Sequence, residues 1–244
     1  MVSITSGTTS VANMFDRKAN TRYISSGNNN DLTATVLRFE FNASENINRI
    51  VLDNINWKSF KIYYNSNTAN VLTLLNGPTN SSTWITNSLT TMYLEFATIS
   101  ASRVTIAATT TMVANAEKYI YNIWFLEKIF TLVDNPSAQN YDPNLGKTIY
   151  KHEMSDGGNA VYYIGEMFRG SVKLDWITNT YYDFIKGISD LEDTFVFVPF
   201  PTGTGWDGNI WQVNYVNDFD FMQYSSNYKG NGYSGTIKME EAAK

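Results

Sequence analysis

The sequence predicts a mainly β protein: a β-sandwich over roughly the first 130 residues, then a second β-sandwich or barrel that carries one packed α-helix. Three observations point there. Short β-branched and aromatic runs alternate with Asn, Ser, Thr and Gly clusters along most of the chain. One segment, near 179–191, repeats apolar residues at three- and four-residue steps, the period of a helix face. Between the halves, VDNPSAQNYDPNLG at 133–146 combines two prolines, an Asp-Pro step and a glycine with no apolar period. The expected domains are therefore 1–130 and 147–244, joined by a linker at 131–146.

In the first half the candidate strands are 34–41, 49–52, 59–64, 92–97, 103–108 and one within 118–130. The polar loops 25–31, 65–70 and 76–82 suit turns closed by Asn and Ser side chains on nearby backbone, and a binding rim would lie there. In the second half, strands at 147–153 and 160–164 flank Ser155-Asp156-Gly157-Gly158-Asn159, whose Asp-Gly step is a hairpin signal. A strand over 166–176 puts Met167, Val172, Leu174 and Trp176 on alternating apolar positions, with a bulge expected near Arg169-Gly170 where the alternation breaks. Thr178 or Asn179 caps a helix over 180–191 whose buried stripe is Tyr181, Phe184, Ile185, Ile188 and Leu191. A strand at 195–198 ends at Pro199 and Pro201, which cannot donate to a ladder. Strands 210–216 and 219–224 pair about Asn217-Asp218, and 232–239 closes the domain.

Among its 244 residues the chain has no cysteine, which excludes a disulfide framework, thiol catalysis and thiolate metal sites. The start, MVSITSGTTSVANMF, has neither the basic nor the apolar region of a signal peptide, and no stretch approaches the roughly 18 apolar residues of a membrane span. The formal charge of −5 is unevenly placed: residues 1–128 hold 10 Lys+Arg against 8 Asp+Glu, and 129–244 hold 8 against 15. An acidic second half argues against nucleic-acid affinity, which needs clustered cations, and suits a surface that repels DNA.

Three segments of the first half resemble the discoidin family, the galactose-binding-like jelly roll of coagulation-factor C domains and many carbohydrate-binding modules. These are the loop from Asn13 to Ser26, with Asp16, Thr21, Tyr23 and Ser25 in order; the paired runs 36–41 and 47–52; and 119–127, which closes on Glu127. The resemblance implies a glycan at the loop rim, with Arg22, Tyr23, Trp57, Trp84 and Asn28 to Asn30 as contacts. It also implies calcium held by Asp16, Thr21 and Glu127, oxygen ligands that suit a hard cation. Arg17-Lys18 departs from the family pattern, because a cationic side chain there could neutralise Asp16 and Glu127 in the metal's place. Asp16 and Thr21 bonding the loop's own backbone is the alternative. An isolated tryptophan such as Trp84 is more often core or interface than glycan platform, and Trp57 follows Asn54 and Asn56, which read as turn residues at a strand junction.

The order of elements in the last 100 or so residues resembles the β domain shared by phage tail-tube and distal-tail proteins. That resemblance implies a structural subunit of a phage tail or tail-derived particle, made in a bacterial host cytoplasm and residing in the virion. Its partners would be other copies in a ring or tube, further tail proteins and host-surface glycan, with DNA only as non-adhering cargo. Met167, Arg169, Val172 and Leu174 on the hairpin arm are the expected assembly contacts. A free carbohydrate-binding protein is the alternative, and a glycan-active enzyme comes third. No catalytic residue is assigned. His152 is the single histidine, so no Ser-His-Asp or metal cluster forms around it. Asp190, Glu192 and Asp193 crowd a helix end, where a solvated turn explains them. Gly203 to Gly208 lacks the lysine of a phosphate loop.

Overall fold

The computed structural model describes residues 2–4, 9–16, 20–25, 30–75, 84–131, 141–154, 159–190, 194–199, 210–226 and 230–242. Arg17, Lys18, Asn28, Glu192, Asp193 and the 203–208 loop lie outside them, as does most of the expected linker. The chain is mainly β and separates into two compact units, Met1–Thr131 and Leu132–Phe200 with Asn209–Ala243.

The first unit contains β1 (Val2–Ile4), β2 (Tyr23–Ile24), β3 (Thr35–Asp53), β4 (Ser59–Tyr64), β5 (Ile85–Thr86), β6 (Met92–Ala108), β7 (Tyr119–Ile120) and β8 (Asn122–Leu126). Its main sheet runs β1-β3-β6-β4-β5, with β8 pairing a further edge of β3, and β2 pairs separately with β7. β3 and β6 are each one long strand where the sequence suggested two. Polar residues break the apolar alternation at 42–46, but a backbone ladder needs no apolar side chains, and Glu45 to Ile47 still pair with Ala101 to Ile99. Register shifts between Glu40 and Glu45 and between Ile47 and Arg49 redirect both strands. The early part of β3 then faces β8, with the Phe39 and Phe125 rings 4.9 Å apart, although β8 pairs with the late part of β3. One core fills the space between: Leu37, Phe39, Ile50, Leu52, Trp57, Phe60, Leu94, Phe96, Val104 and Ile106 among others.

A buried ion pair crosses the same unit. The Arg49 guanidinium donates to the Tyr93 hydroxyl at 2.8 Å, to the Asn48 carbonyl at 2.7 Å and to Glu95. These acceptors offset the desolvation of a charge so deeply buried.

The second unit holds β9 (Tyr141–Glu153), β10 (Asn159–Ile177), α1 (Asn179–Ser189), β11 (Phe195–Phe197), β12 (Trp211–Tyr215), β13 (Phe221–Ser226) and β14 (Gly230–Glu241). β14 is the spine: β10 lies along one edge, and β12 and β13 share the other. β12 and β13 therefore do not pair with each other as the sequence suggested; each finds its ladder on β14. β9 begins at Tyr141, inside the segment read as linker.

No bulge lies at Arg169-Gly170. β10 pairs with β14 without interruption from Arg169 to Leu174, and the shifts fall between Leu174 and Ile177 and, against β9, between Tyr163 and Gly165. The buried face there is Phe168, Gly170 and Val172, so Met167 and Val172 lie on opposite faces. Gly170 opens the space that the Phe168 ring fills, since a Cβ at 170 would stand 2.5 Å from the ring's Cζ. That ring stacks on Trp211 at 4.6 Å and 7°. Trp176, at the lower bulge, has φ 61°, a left-handed backbone that costs a side-chain-bearing residue about 1–2 kcal/mol. Its indole lies over Gly232, where a Cβ would come within 3.0 Å. In α1 the contacts to the sheet come from Ile185, fully buried, and Tyr182, stacked on Tyr233 at 4.1 Å. Phe184, read as part of the stripe, is exposed.

Candidate functional site

The loops at one end of the first unit are held by side chains that act as backbone. Asn56 donates from Nδ2 to the Glu117 carbonyl at 2.7 Å and accepts the Tyr119 N–H on Oδ1 at 3.0 Å. Asn87 donates to the Trp57 and Leu89 carbonyls. Asp31 accepts from both the N–H and the hydroxyl of Thr111, each at 3.1 Å, and its own N–H donates to Asn115. Burial works to raise the Asp31 carboxyl, but the Thr111 and Asn115 bonds and the Lys118 charge hold it below the usual carboxylate range. Lys118 is itself only 1% exposed and donates to the Asn30 carbonyl at 2.9 Å; its burial pulls the ammonium below the ordinary lysine value, with Asp31 opposing. Such a lattice fixes the loop backbone before any ligand arrives.

On this frame stands a cluster that the sequence reading found only in part. Arg22 precedes β2, its carbonyl accepting from Thr9 at 2.8 Å and Asn13 at 3.0 Å. β2 pairs with β7, Ile24 opposite Tyr119, which brings Arg22 to the tyrosines. The guanidinium carbon sits 4.6 Å from the Tyr119 ring centre and 5.9 Å from that of Tyr121. The two rings meet edge to face at 5.9 Å. All three side chains are half-buried. Tyr119 and Tyr121 alternate with a buried Ile120, a signal that was available in the sequence.

The other expected contacts separate. Tyr23 and Trp57 are each 1% exposed and belong to the core, so neither can offer a ring face to a sugar; burial also pushes the Tyr23 phenol up to about 12. Their alternation with polar neighbours hid this, because both faces of these short segments are covered. Trp84 is partly exposed and lies under the Lys61 ammonium, 5.0 Å from its ring centre. At the implied calcium site the Thr21 hydroxyl donates to Asp16 Oδ2 at 2.6 Å, and Glu127 is exposed just beyond β8. Among the described residues no group of three His, Cys, Asp or Glu side chains could hold a metal.

No family model matches the chain, and no curated protein matches it. Solved structures do. Chitosan-binding module 1 of a chitosanase/glucanase from Paenibacillus sp. IK-5 is similar over 52% of this chain and 94% of its own, at 16% identity and a TM-score of 0.41. A family 32 carbohydrate-binding module from C. perfringens NanJ, solved with galactose, covers 51% of this chain and 91% of its own at 17% identity and 0.39. A pectin-binding module covers 52% and 89% at 17% identity and 0.39.

In the second unit the expected assembly residues also divide. Val172 is 1% exposed within the unit and cannot meet a partner. Arg169 is exposed but already paired with Glu240 at 2.8 Å. Met167 and Leu174 are half-buried. The larger feature is the β9–β10 hairpin. β14 reaches β10 only from Arg169 onward, whereas β9 pairs with β10 from Asn159 to Val172. From Asn159 to Phe168 the two strands pair with each other alone among the described residues, an arm of roughly 30 Å at about 3.3 Å per residue. Its register sets Tyr150 opposite Tyr162 and Ile149 opposite Tyr163. Among the described residues no helix is long and apolar enough to cross a membrane.

Proposed function

We propose that the first unit binds carbohydrate at the rim formed by Arg22, Tyr119 and Tyr121. The observation that carries this reading is the cluster itself. Two tyrosine rings set edge to face give an amphipathic surface for a sugar ring, and a guanidinium beside them offers N–H donors to its hydroxyls, all on loops fixed in advance. The activity is recognition, without turnover. A glycan array should give hits for the parent protein, and Arg22→Ala or Tyr121→Ala should weaken the best of them roughly tenfold, about 1.4 kcal/mol, without lowering the unfolding temperature. An array without hits, or variants that bind as the parent does, would overturn the assignment.

The hairpin arm favours a second role, that of a structural subunit in a ring or tube such as that of a phage tail, with other virion tail proteins as neighbours. An isolated two-stranded ribbon is marginally stable in water, and both its edges offer unpaired N–H and C=O groups. Packing against another copy would satisfy both, and the acidic second half would let DNA pass without sticking. Replacing residues 146–167 by Asn-Gly closes the hairpin at the Leu145–Phe168 pair. Light scattering should show higher oligomers for the parent and a monomer for this variant; a parent that stays monomeric at high concentration would remove the role.

A further inference from the structure

We propose that the outward face of the first unit's sheet is a second ligand site, selective for a carboxylate-bearing saccharide such as an oligouronate, with Arg38, Arg103 and Lys61 as its cationic contacts. It differs from the rim in place and in charge, and rests on the rim reading only in that the ligand is a sugar.

Strand register builds the site. Arg38 on β3 lies opposite Thr105 on β6, and Arg103 lies opposite Glu40, so the two arginines are diagonal neighbours on one face of adjacent strands. Leu37, Phe39, Val104 and Ile106 fill the other face. Diagonal neighbours stand about 7–8 Å apart, within reach for two long side chains to close on one ligand. β4 continues the face, with Tyr63 beside Thr105 and Lys61 beside Ala107. Lys61 in turn covers Trp84.

The arginines lack what such groups require. The Nε atoms of Arg38 and Arg103 are both buried with no hydrogen-bond partner. Among the described residues neither side chain forms an ion pair; even Glu40, across the ladder from Arg103, does not pair with it. A carboxylate bridging the two guanidinium groups would supply both with the acceptor that the protein does not.

Charge and shape narrow the ligand. Two arginines and a lysine on one face outweigh Glu40, which gives that face a net positive charge. The planar guanidinium fork matches a carboxylate with two parallel N–H···O bonds. Tyr63 and Trp84 flank the cations with half-buried rings, which a sugar ring can use and a bare inorganic anion cannot.

Calorimetry on the full chain would compare an oligouronate, the same oligosaccharide with its carboxyls reduced to alcohols, and inorganic sulfate. The oligouronate should bind roughly tenfold or more tightly than the reduced form. Arg103→Gln and Lys61→Gln should each weaken it about fivefold or more with unchanged thermal unfolding, and Arg22→Ala should leave it unchanged. Equal affinity for the acidic and reduced forms overturns the site, as does loss of oligouronate binding in Arg22→Ala. Sulfate binding as tight as the oligouronate leaves a simple anion site and overturns the saccharide. Neutral-sugar binding lost in Arg22→Ala, with no oligouronate binding at all, removes this site and leaves the rim standing.

Discussion

Trp57→Ala should destabilise the first unit by about 3–5 kcal/mol, the range for removing a large aromatic from a packed core. The indole is 1% exposed and meets Phe60 edge to face at 6.0 Å. Its backbone also anchors two loops: the carbonyl accepts from Asn87 at 2.9 Å, and the residue bridges to Thr111. Loss of the ring therefore opens a cavity beneath the segments that position the rim. Trp57→Phe should cost less than half as much, because Nε1 has no hydrogen-bond partner among the described residues and little is lost with it. Urea unfolding gives both values. Sugar affinity corrected to the folded fraction should match the parent in both variants. A Trp57→Ala protein as stable as the parent but deficient in binding would instead put this residue on the surface.

Phe168→Ala should remove a similar amount, about 3–5 kcal/mol, from the second unit. The ring is 1% exposed, stacks on Trp211 at 4.6 Å and lies 6.4 Å from Phe197, so it joins β10 to β11 and β12, which share no ladder with it. Gly170→Ala tests the same packing from the other side, since its Cβ would drive the ring off Trp211. The clash vanishes once the ring is gone, so Phe168→Ala with Gly170→Ala should cost less than the two single effects added together. Unfolding followed by tryptophan fluorescence reads all three variants. Simple additivity would mean the ring does not press on residue 170, and a Phe168→Ala cost below about 1 kcal/mol would mean it is not core.

Near Phe168 the sheet also shows how one strand serves two neighbours. The β10–β14 ladder ends at the Arg169–Glu240 pair, and the Phe168 N–H just beyond it donates to the buried Glu241 carboxylate at 3.0 Å. In sequence Glu241 simply ends the run KMEE. Its donor is a backbone N–H 73 residues earlier, which only the β10–β14 register brings to it.

Alternation identified the strands whose two faces differ, such as 35–40, 59–64 and 166–174, because one face meets the core and the other meets water. Where both faces are covered it could not say which residues are core. Ile47 to Leu52 is buried on every residue, and Tyr23 and Trp57 sit in short segments enclosed by neighbouring loops. The rim followed the same division. Arg22 and Trp84 were legible as polar-set residues beside aromatics, whereas Tyr119 and Tyr121 join Arg22 only through the pairing of β2 with β7, strands nearly a hundred residues apart.

By itself, then, the sequence determined the mainly β class, the α-helix near 179–191, the absence of thiol chemistry and the acidic second half, all properties of composition and local period. Tertiary structure alone decided which aromatics are core, which strands share β14, how far the hairpin runs beyond its sheet, and that Arg38 and Arg103 meet on one face. Each depends on register between distant strands, and a slip of one residue would turn every side chain to the opposite face.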